Sequence, residues 1–135
     1  MTDAEFEATR KRVEKWCDRW YSSLGLHWWQ TTYTWKRETA NYEAAEAYFG
    51  DAAVTSSQWQ YRKAGIAWHL DVIAQMTDED LELLVIHEFV HVLSSSWANA
   101  KTAAEQERKE FATECLARAF MWARRADYTT VEGMY

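Results

Sequence analysis

The hydrophobic pattern changes period several times along the chain. At the start, Thr2-x-x-Glu5 has the form of a capping box, in which a hydroxyl and a carboxylate satisfy orphan backbone N–H groups reciprocally. Val13, Trp16, Cys17, Trp20 and Leu24 then recur at three- and four-residue spacing until Gly25. This predicts an amphipathic helix that stops at the glycine. From Leu26 to Arg37 the period falls to two and puts His27, Trp29, Thr31, Tyr33 and Trp35 on one face of a strand. Glu38 to Gly50 has no dominant period, and Ala44-Ala45-Glu46-Ala47 fits either a short helix or a long ordered loop. Val54 to Tyr61 and Gly65 to Ile73 read as two strands joined into a hairpin by a Lys-Ala-Gly turn at Lys63–Gly65. In the second of these, Ile66, Trp68, Leu70 and Val72 face the core. His69 and Asp71 face the other way, either simply exposed or toward a cleft.

A second helical region starts at Thr77. Thr77-x-x-Asp80 is a capping box with Asp in place of the usual Glu, and Asp78, Glu79 and Asp80 put negative charge where the helix dipole favours it. Leu81, Leu83, Leu84, Val85, Ile86, Phe89, Val90, Val92 and Leu93 follow, apolar on nearly every side, as in a buried helix. Farther on, Phe111, Cys115, Ala119 and Trp122 mark a helical stripe that Ala112, Leu116 and Ala123 widen. The order is helix, about three mainly antiparallel strands, then two helices packed together. That is an α+β class, with residues 1–135 as a single domain.

Composition narrows the picture. The 135 residues carry nine Trp, seven Tyr and five Phe, enough large side chains for a substantial core. The net charge of −6 argues against a nucleic-acid-binding surface. Arg10-Lys11-Arg12 lies on a helix rich in acids and reads as a solvated face. The N-terminus is acidic and polar, without the apolar run of a secretory leader, and no 18-residue apolar stretch spans a membrane. These features predict a cytoplasmic protein. Cys17 and Cys115 both fall on apolar stripes and are expected as reduced core residues without a disulfide.

Within the apolar helix only His87, Glu88 and His91 interrupt the run from Leu83 to Leu93. Together they read His87-Glu88-Phe89-Val90-His91, an HExxH motif. Histidines four apart lie one turn above each other on the same face, so both imidazoles reach one metal ion. The glutamate beside the first can take a proton from a water that the metal activates. Burying three such groups unpaired costs several kcal/mol or more, and a metal removes that cost. The alternative is a pair of core histidines hydrogen-bonded to backbone, with Glu88 in a buried ion pair. A third ligand must be a carboxylate, because His27 and His69 both lie upstream and none follows His91. Ser94 and Trp97 stand where a metzincin has its glycine and third histidine. Glu110 and Glu114, four apart on one helix face, are the candidates; an ordinary Glu114–Arg118 ion pair on a solvated face is the other reading.

This arrangement resembles the gluzincins, zinc peptidases with HExxH on one helix and a glutamate ligand on a following one. The stretch from about Ile66 to Ala123 looks most like the minigluzincins and the small metallopeptidases of phages and prophages. The resemblance implies a zincin-like domain in which His87, His91 and Glu110 hold Zn2+, Glu88 is the general base, and Glu114 orients a ligand histidine. In the family the second motif is often ExxxD; here it is Glu110-x-x-x-Glu114, one methylene longer, which leaves the order of the two glutamates open. The resemblance also implies a bacterial or phage-infected host cell, a peptide or protein substrate, and an oxyanion donor for which Tyr128, Arg124 and His69 are candidates. It further implies a strand near the metal that pairs with an extended substrate, for which Gly65 to Ile73 is the candidate. A tail from Asp127 to Tyr135 is a candidate cover for the cleft. Besides a zinc peptidase, the residues fit an assembly protein that keeps the metal without cleaving, or a zinc hydrolase of small amides and esters.

Overall fold

The protein is described by a computed structural model that covers residues 1–38, 52–96 and 100–134, with side chains as far as Arg125. Helix α1 is Asp3–Tyr21. Its capping box forms in full: Thr2 Oγ1 accepts from the Glu5 N–H at 3.1 Å and Glu5 Oε2 accepts from the Thr2 N–H at 2.9 Å. Thr9, Val13, Cys17 and Trp20 are its buried side chains. Arg10, next to the buried face, pairs with Glu7 and Glu14. The chain leaves α1 through Gly25, whose φ of 73° is the left-handed conformation that glycine adopts without a side-chain clash.

The expected strand from Leu26 begins later than its alternation suggests. A 3-10 turn, Leu26–Trp28, buries Leu26 and leaves Trp28 and His27 outside. Strand β1 is Gln30–Lys36, with Thr31, Tyr33 and Trp35 on its inner face. The segment with the expected Ala44–Ala47 helix lies outside the described residues. Strands β2, Ala53–Gln58, and β3, Lys63–His69, form the expected hairpin, in register from Ala53 opposite Trp68 to Gln58 opposite Lys63. The turn is a 3-10 turn at Trp59–Tyr61 closed by Arg62 in the left-handed region at φ 52°. Lys63, Ala64 and Gly65, expected as the turn, open β3 instead. The glycine misled because a non-glycine residue takes the left-handed position.

The sheet order is β1-β3-β2. Strand β1 runs parallel to β3 and β2 antiparallel, so the sheet is mixed where mainly antiparallel pairing was expected. One face carries Ala53 and Thr55 of β2, Ala64, Ile66 and Trp68 of β3, and Tyr33 and Trp35 of β1, as the registers require. Tyr33 meets Trp68 edge-on at 6.0 Å. After His69 the predicted strand gives way to a one-turn helix α2, Leu70–Ile73, whose three-residue spacing buries both ends. His69, expected to be exposed or to face a cleft, is buried at this junction.

Helix α3, Asp78–Ser94, contacts α1, β2 and the last helix, so it occupies the centre of the fold. Thr77 accepts from the Asp80 N–H at 3.2 Å. Helix α4, Ala103–Met134, is 32 residues long. Thr102 and Glu105 form a reciprocal cap at its start, with bonds of 3.1 and 3.3 Å. The face that α4 buries is Thr113, Ala117 and Met121, not the expected stripe through Phe111, Cys115, Ala119 and Trp122. Periodicity identifies apolar faces, but α4 has two. The rotation that lets Glu110 and Glu114 meet the histidines selects the less bulky one. Cys17 is buried as expected, and burial raises its thiol pKa to about 12. Cys115 is exposed, contrary to its expected core position; both cysteines are free thiols.

A buried polar link ties the three long helices together. Trp20 Nε1 on α1 donates to Glu82 Oε2 on α3 at 2.9 Å, and Arg125 on α4 lies 3.7 Å from the same carboxylate. The Arg124 guanidinium stacks 4.8 Å from the Trp20 ring. No helix among the described residues is long and apolar enough to cross a membrane.

The hairpin turn offers a direct test. A left-handed residue other than glycine costs roughly 1–2 kcal/mol, offset in part by the extra flexibility of glycine when unfolded. Arg62→Gly should therefore raise the unfolding free energy by about 0.5–1 kcal/mol, seen as a higher urea midpoint at unchanged slope. A lower midpoint would mean that the Arg62 side chain holds the turn through its own contacts.

Candidate metal centre

Helix α3 is apolar on all sides, and where His87, Glu88 and His91 emerge from it a cleft begins. The two imidazoles stand one turn apart with ring centroids 4.8 Å from each other, inclined at 77°. Helix α4 crosses this turn and supplies both expected glutamates. Glu110 divides its oxygens between the histidines: Oε2 lies 3.1 Å from His87 Nε2 and Oε1 lies 3.2 Å from His91 Nε2. Glu114 Oε2 lies 2.8 Å from the other ring nitrogen of His87, Nδ1. Its second oxygen pairs with Arg118 at 3.1 Å, so the solvated-face ion pair forms as well.

The two glutamates are therefore not equivalent. Glu110 faces the side of both rings on which Nε2 lies, whereas Glu114 grips His87 from behind. One donor atom each from His87, His91 and Glu110 can be chosen so that all lie within 4.8 Å of one another. Bonds of ~2.1 Å to a tetrahedral zinc ion place its ligands ~3.4 Å apart, so this set can close on such an ion with small side-chain movements. Two imidazoles and a carboxylate are a donor set suited to zinc. A carboxylate on the remote nitrogen of a ligating histidine is the usual means of fixing its tautomer and orientation.

Glu88 projects to the other side of the cleft, where it is buried and accepts a hydrogen bond from Thr55 Oγ1 of β2. Strand β2 is the edge of the sheet nearest the histidines. Val54, Thr55 and Ser57 of β2 line one wall, and Gln106, Lys109 and Glu110 of α4 line the other. The cleft between them has a volume of about 400 Å³. Gln106 Nε2 donates to Glu110 Oε1 at 3.3 Å.

Electrostatics follow from this crowding. Burial pushes the Glu88 carboxyl pKa above its ordinary value, against the opposing pull of Thr55 and the two imidazoles. Burial works to lower the pKa of His87, but its bonds to Glu110 and Glu114 and the nearby Glu88 charge outweigh that and raise it. Hydrogen bonds from His87 and His91 hold Glu110 well below the usual carboxylate range.

No family model matches the chain, and neither does a curated protein or a solved structure. The site is therefore read from its own geometry.

The remaining expectations fare differently. Arg124 is far from the cleft in its contacts, bonded to the Arg19 carbonyl and Ser23 Oγ. His69 does not line the cleft. The Tyr128 side chain lies outside the described residues. The backbone from Asp127 to Met134 continues α4, and at 1.5 Å per residue Asp127 lies ~25 Å along the axis from Glu110. It thus runs on from the cleft instead of folding over it. Strand β3, the expected partner for an extended ligand, is paired on both sides; among the described residues β1 and β2 are the edges, and β2 is the one that lines the cleft. Thr55, Gln106 and Lys109 were not anticipated. For Gln106 and Lys109 the signal was present, since they stand four and one residues before Glu110 on the inward side of the helix. Thr55 had none, because its role depends on which strand edges the cleft.

In metal-free protein, His87 and Glu88 bind protons more tightly folded than unfolded. Their contribution is complete below the ordinary values of 6.5 and 4.5 and is lost as pH rises through the raised ones. Glu110 has the opposite sign: its contribution is present above 4.5 and lost as pH falls toward its depressed value. Metal-free protein should therefore lose stability between about pH 6 and about pH 8, while protein saturated with zinc gains it, because the metal displaces the same protons. Thermal melts at both pH values with and without zinc test this; parallel pH slopes would contradict it.

Proposed function

We propose that this protein is a zinc peptidase of the gluzincin kind, acting on extended peptide segments through Glu88 as general base. The observation that carries the reading is the convergence of His87, His91 and Glu110 on one point at the floor of a cleft, with Glu88 beside it. His87, His91 and Glu110 would hold the ion. When bound, zinc supplies a Lewis acid that polarises a carbonyl and lowers the pKa of water toward ~7.

The protein's own groups account for the rest. Glu88 takes a proton from the attacking water and delivers it to the leaving amine. Thr55 fixes one carboxylate oxygen and leaves the other to act. Glu114 holds His87 at Nδ1 so that Nε2 faces the cleft. A substrate backbone adds to the open edge of β2, whose main-chain groups recognise any extended sequence. Lys109, a cation lining the cleft, takes the part of an oxyanion donor for which Tyr128, Arg124 and His69 were the earlier candidates.

A second reading keeps the metal and drops the chemistry. The exposed aromatics Trp28, Tyr61, Phe111 and Trp122 favour it, because large apolar side chains in water mark contact surfaces. Glu88→Gln separates the two. A peptidase should lose roughly 10²–10⁴-fold in turnover of an unstructured protein substrate while keeping its zinc. Equal activity in both proteins would remove Glu88 from the chemistry.

Elemental analysis tests the centre itself. We expect about one zinc per chain in the wild type, loss of it in Glu110→Ala, and ~10–100-fold weaker binding in Glu114→Ala. Folded wild-type protein that takes up no zinc would end the proposal.

A further inference from the structure

Helix α4 carries a second apolar face that its own domain leaves in water. Phe111 is 72 % exposed and Trp122 is 70 % exposed, and Ala112, Cys115 and Ala119 between them are exposed as well. At 3.6 residues per turn these five fall on one stripe, diametrically opposite Thr113, Ala117 and Met121, which pack into the core. The stripe thus points directly away from the protein body.

Its sequence matches its own reverse. Two bulky rings stand at the ends and small residues fill the middle, so a reversed copy can lay each ring beyond the small residues of the other while the helices approach closely. The charges on one flank obey the same symmetry. Glu107 and Glu114 occupy its first half, and Arg118 and Arg125 its second. A two-fold axis at Leu116 sets Glu107 opposite Arg125 of the copy and Glu114 opposite Arg118 of the copy. A parallel two-fold pairing would set this flank against the opposite one, which carries Lys109 and Leu116, and the match would be lost. Arg118 and Arg125 also pair within their own chain, with Glu114 at 3.1 Å and Glu79 at 3.3 Å, and the copy adds a second carboxylate to each.

We infer that α4 is a homodimer interface, formed by antiparallel pairing of its outer face with that of a second copy of this chain. Phe111 and Trp122 together leave on the order of 300 Å² exposed per chain, given the 150–250 Å² such rings bury. Two copies therefore cover roughly 600 Å² before Leu116 and the charged flank are counted, about half of the ~1,200 Å² at which stable interfaces begin. This inference is independent of the metal centre and of any activity.

Cys115 provides a readout. With the axis at Leu116, the two Cys115 residues are offset by ~3 Å along the helices, and at the 8–10 Å separation of packed helices their Cα atoms are ~4.5–6 Å apart. That lies within the disulfide range. Diamide, which accepts the two electrons and two protons of a thiol pair, should therefore give a covalent dimer of the full chain. The product should revert with dithiothreitol, persist in Cys17→Ser and disappear in Cys115→Ser. The direction is read in a Cys115→Ser background: chains carrying Ala112→Cys should cross-link to chains carrying Ala119→Cys, and neither to itself. Light scattering across a concentration series should show the mass approaching twice that of the chain. Phe111→Glu and Trp122→Glu should hold it at one chain with unchanged circular dichroism and zinc content. A monomer at every concentration, or a dimer that neither substitution weakens, overturns the inference. Self-cross-linking of Ala112→Cys chains overturns the antiparallel arrangement.

Discussion

The placement of one buried carboxylate and two half-buried imidazoles in the middle of an apolar helix is the constraint around which this fold is arranged. His87, Glu88 and His91 sit in α3 among Leu84, Val85, Ile86, Phe89, Val90 and Val92, all of them buried. Groups of this kind cannot remain unpaired in such surroundings without costing several kcal/mol each. Each neighbouring element answers that requirement. Strand β2 turns Thr55 toward Glu88. Helix α4 brings Glu110 between the two imidazoles and Glu114 behind one of them. The rotation of α4, the choice of its buried face and the nearness of the sheet edge all follow from meeting these groups.

The helix ends and the cluster of candidate ligands were legible because they depend on local rules. Thr2 and Glu5 cap α1, Thr77 caps α3, and Gly25 marks the end of the first stripe as its spacing indicates. His87 and His91 share a face by helix geometry alone, and the pairing of Glu110 and Glu114 needed only their four-residue spacing. What the sequence left open depends on contacts across the fold. The positions of the two glutamates differ only because α4 crosses α3 and each carboxylate reaches a different nitrogen of His87.

The misreadings share one cause. An apolar stripe states that a face prefers to leave water, not which partner takes it up. Helix α4 has two such faces, and the bulkier one was assigned to the core although the smaller one packs there. The same limit applies to β3. Its alternation correctly put Ile66 and Trp68 inside, yet alternation is silent on whether a strand lies at the centre or the edge of a sheet. That difference moves the sheet edge beside the cleft from β3 to β2. Arg62 shows the complementary case, in which a nearby glycine drew the turn away from the residue that makes it.

Strand β2 does two things at once. Among the described residues its outer edge carries no partner strand, and its Thr55 donates to the carboxylate of Glu88. Successive side chains of a strand alternate between faces, so any displacement of β2 along its length is felt at Thr55. Under the proposed function, a peptide that docks in register leaves Glu88 where it stands, whereas one that drags the strand out of line shifts the group proposed to move the proton. Selectivity at this cleft can therefore reside in backbone alignment, with no pocket shaped to any particular side chain.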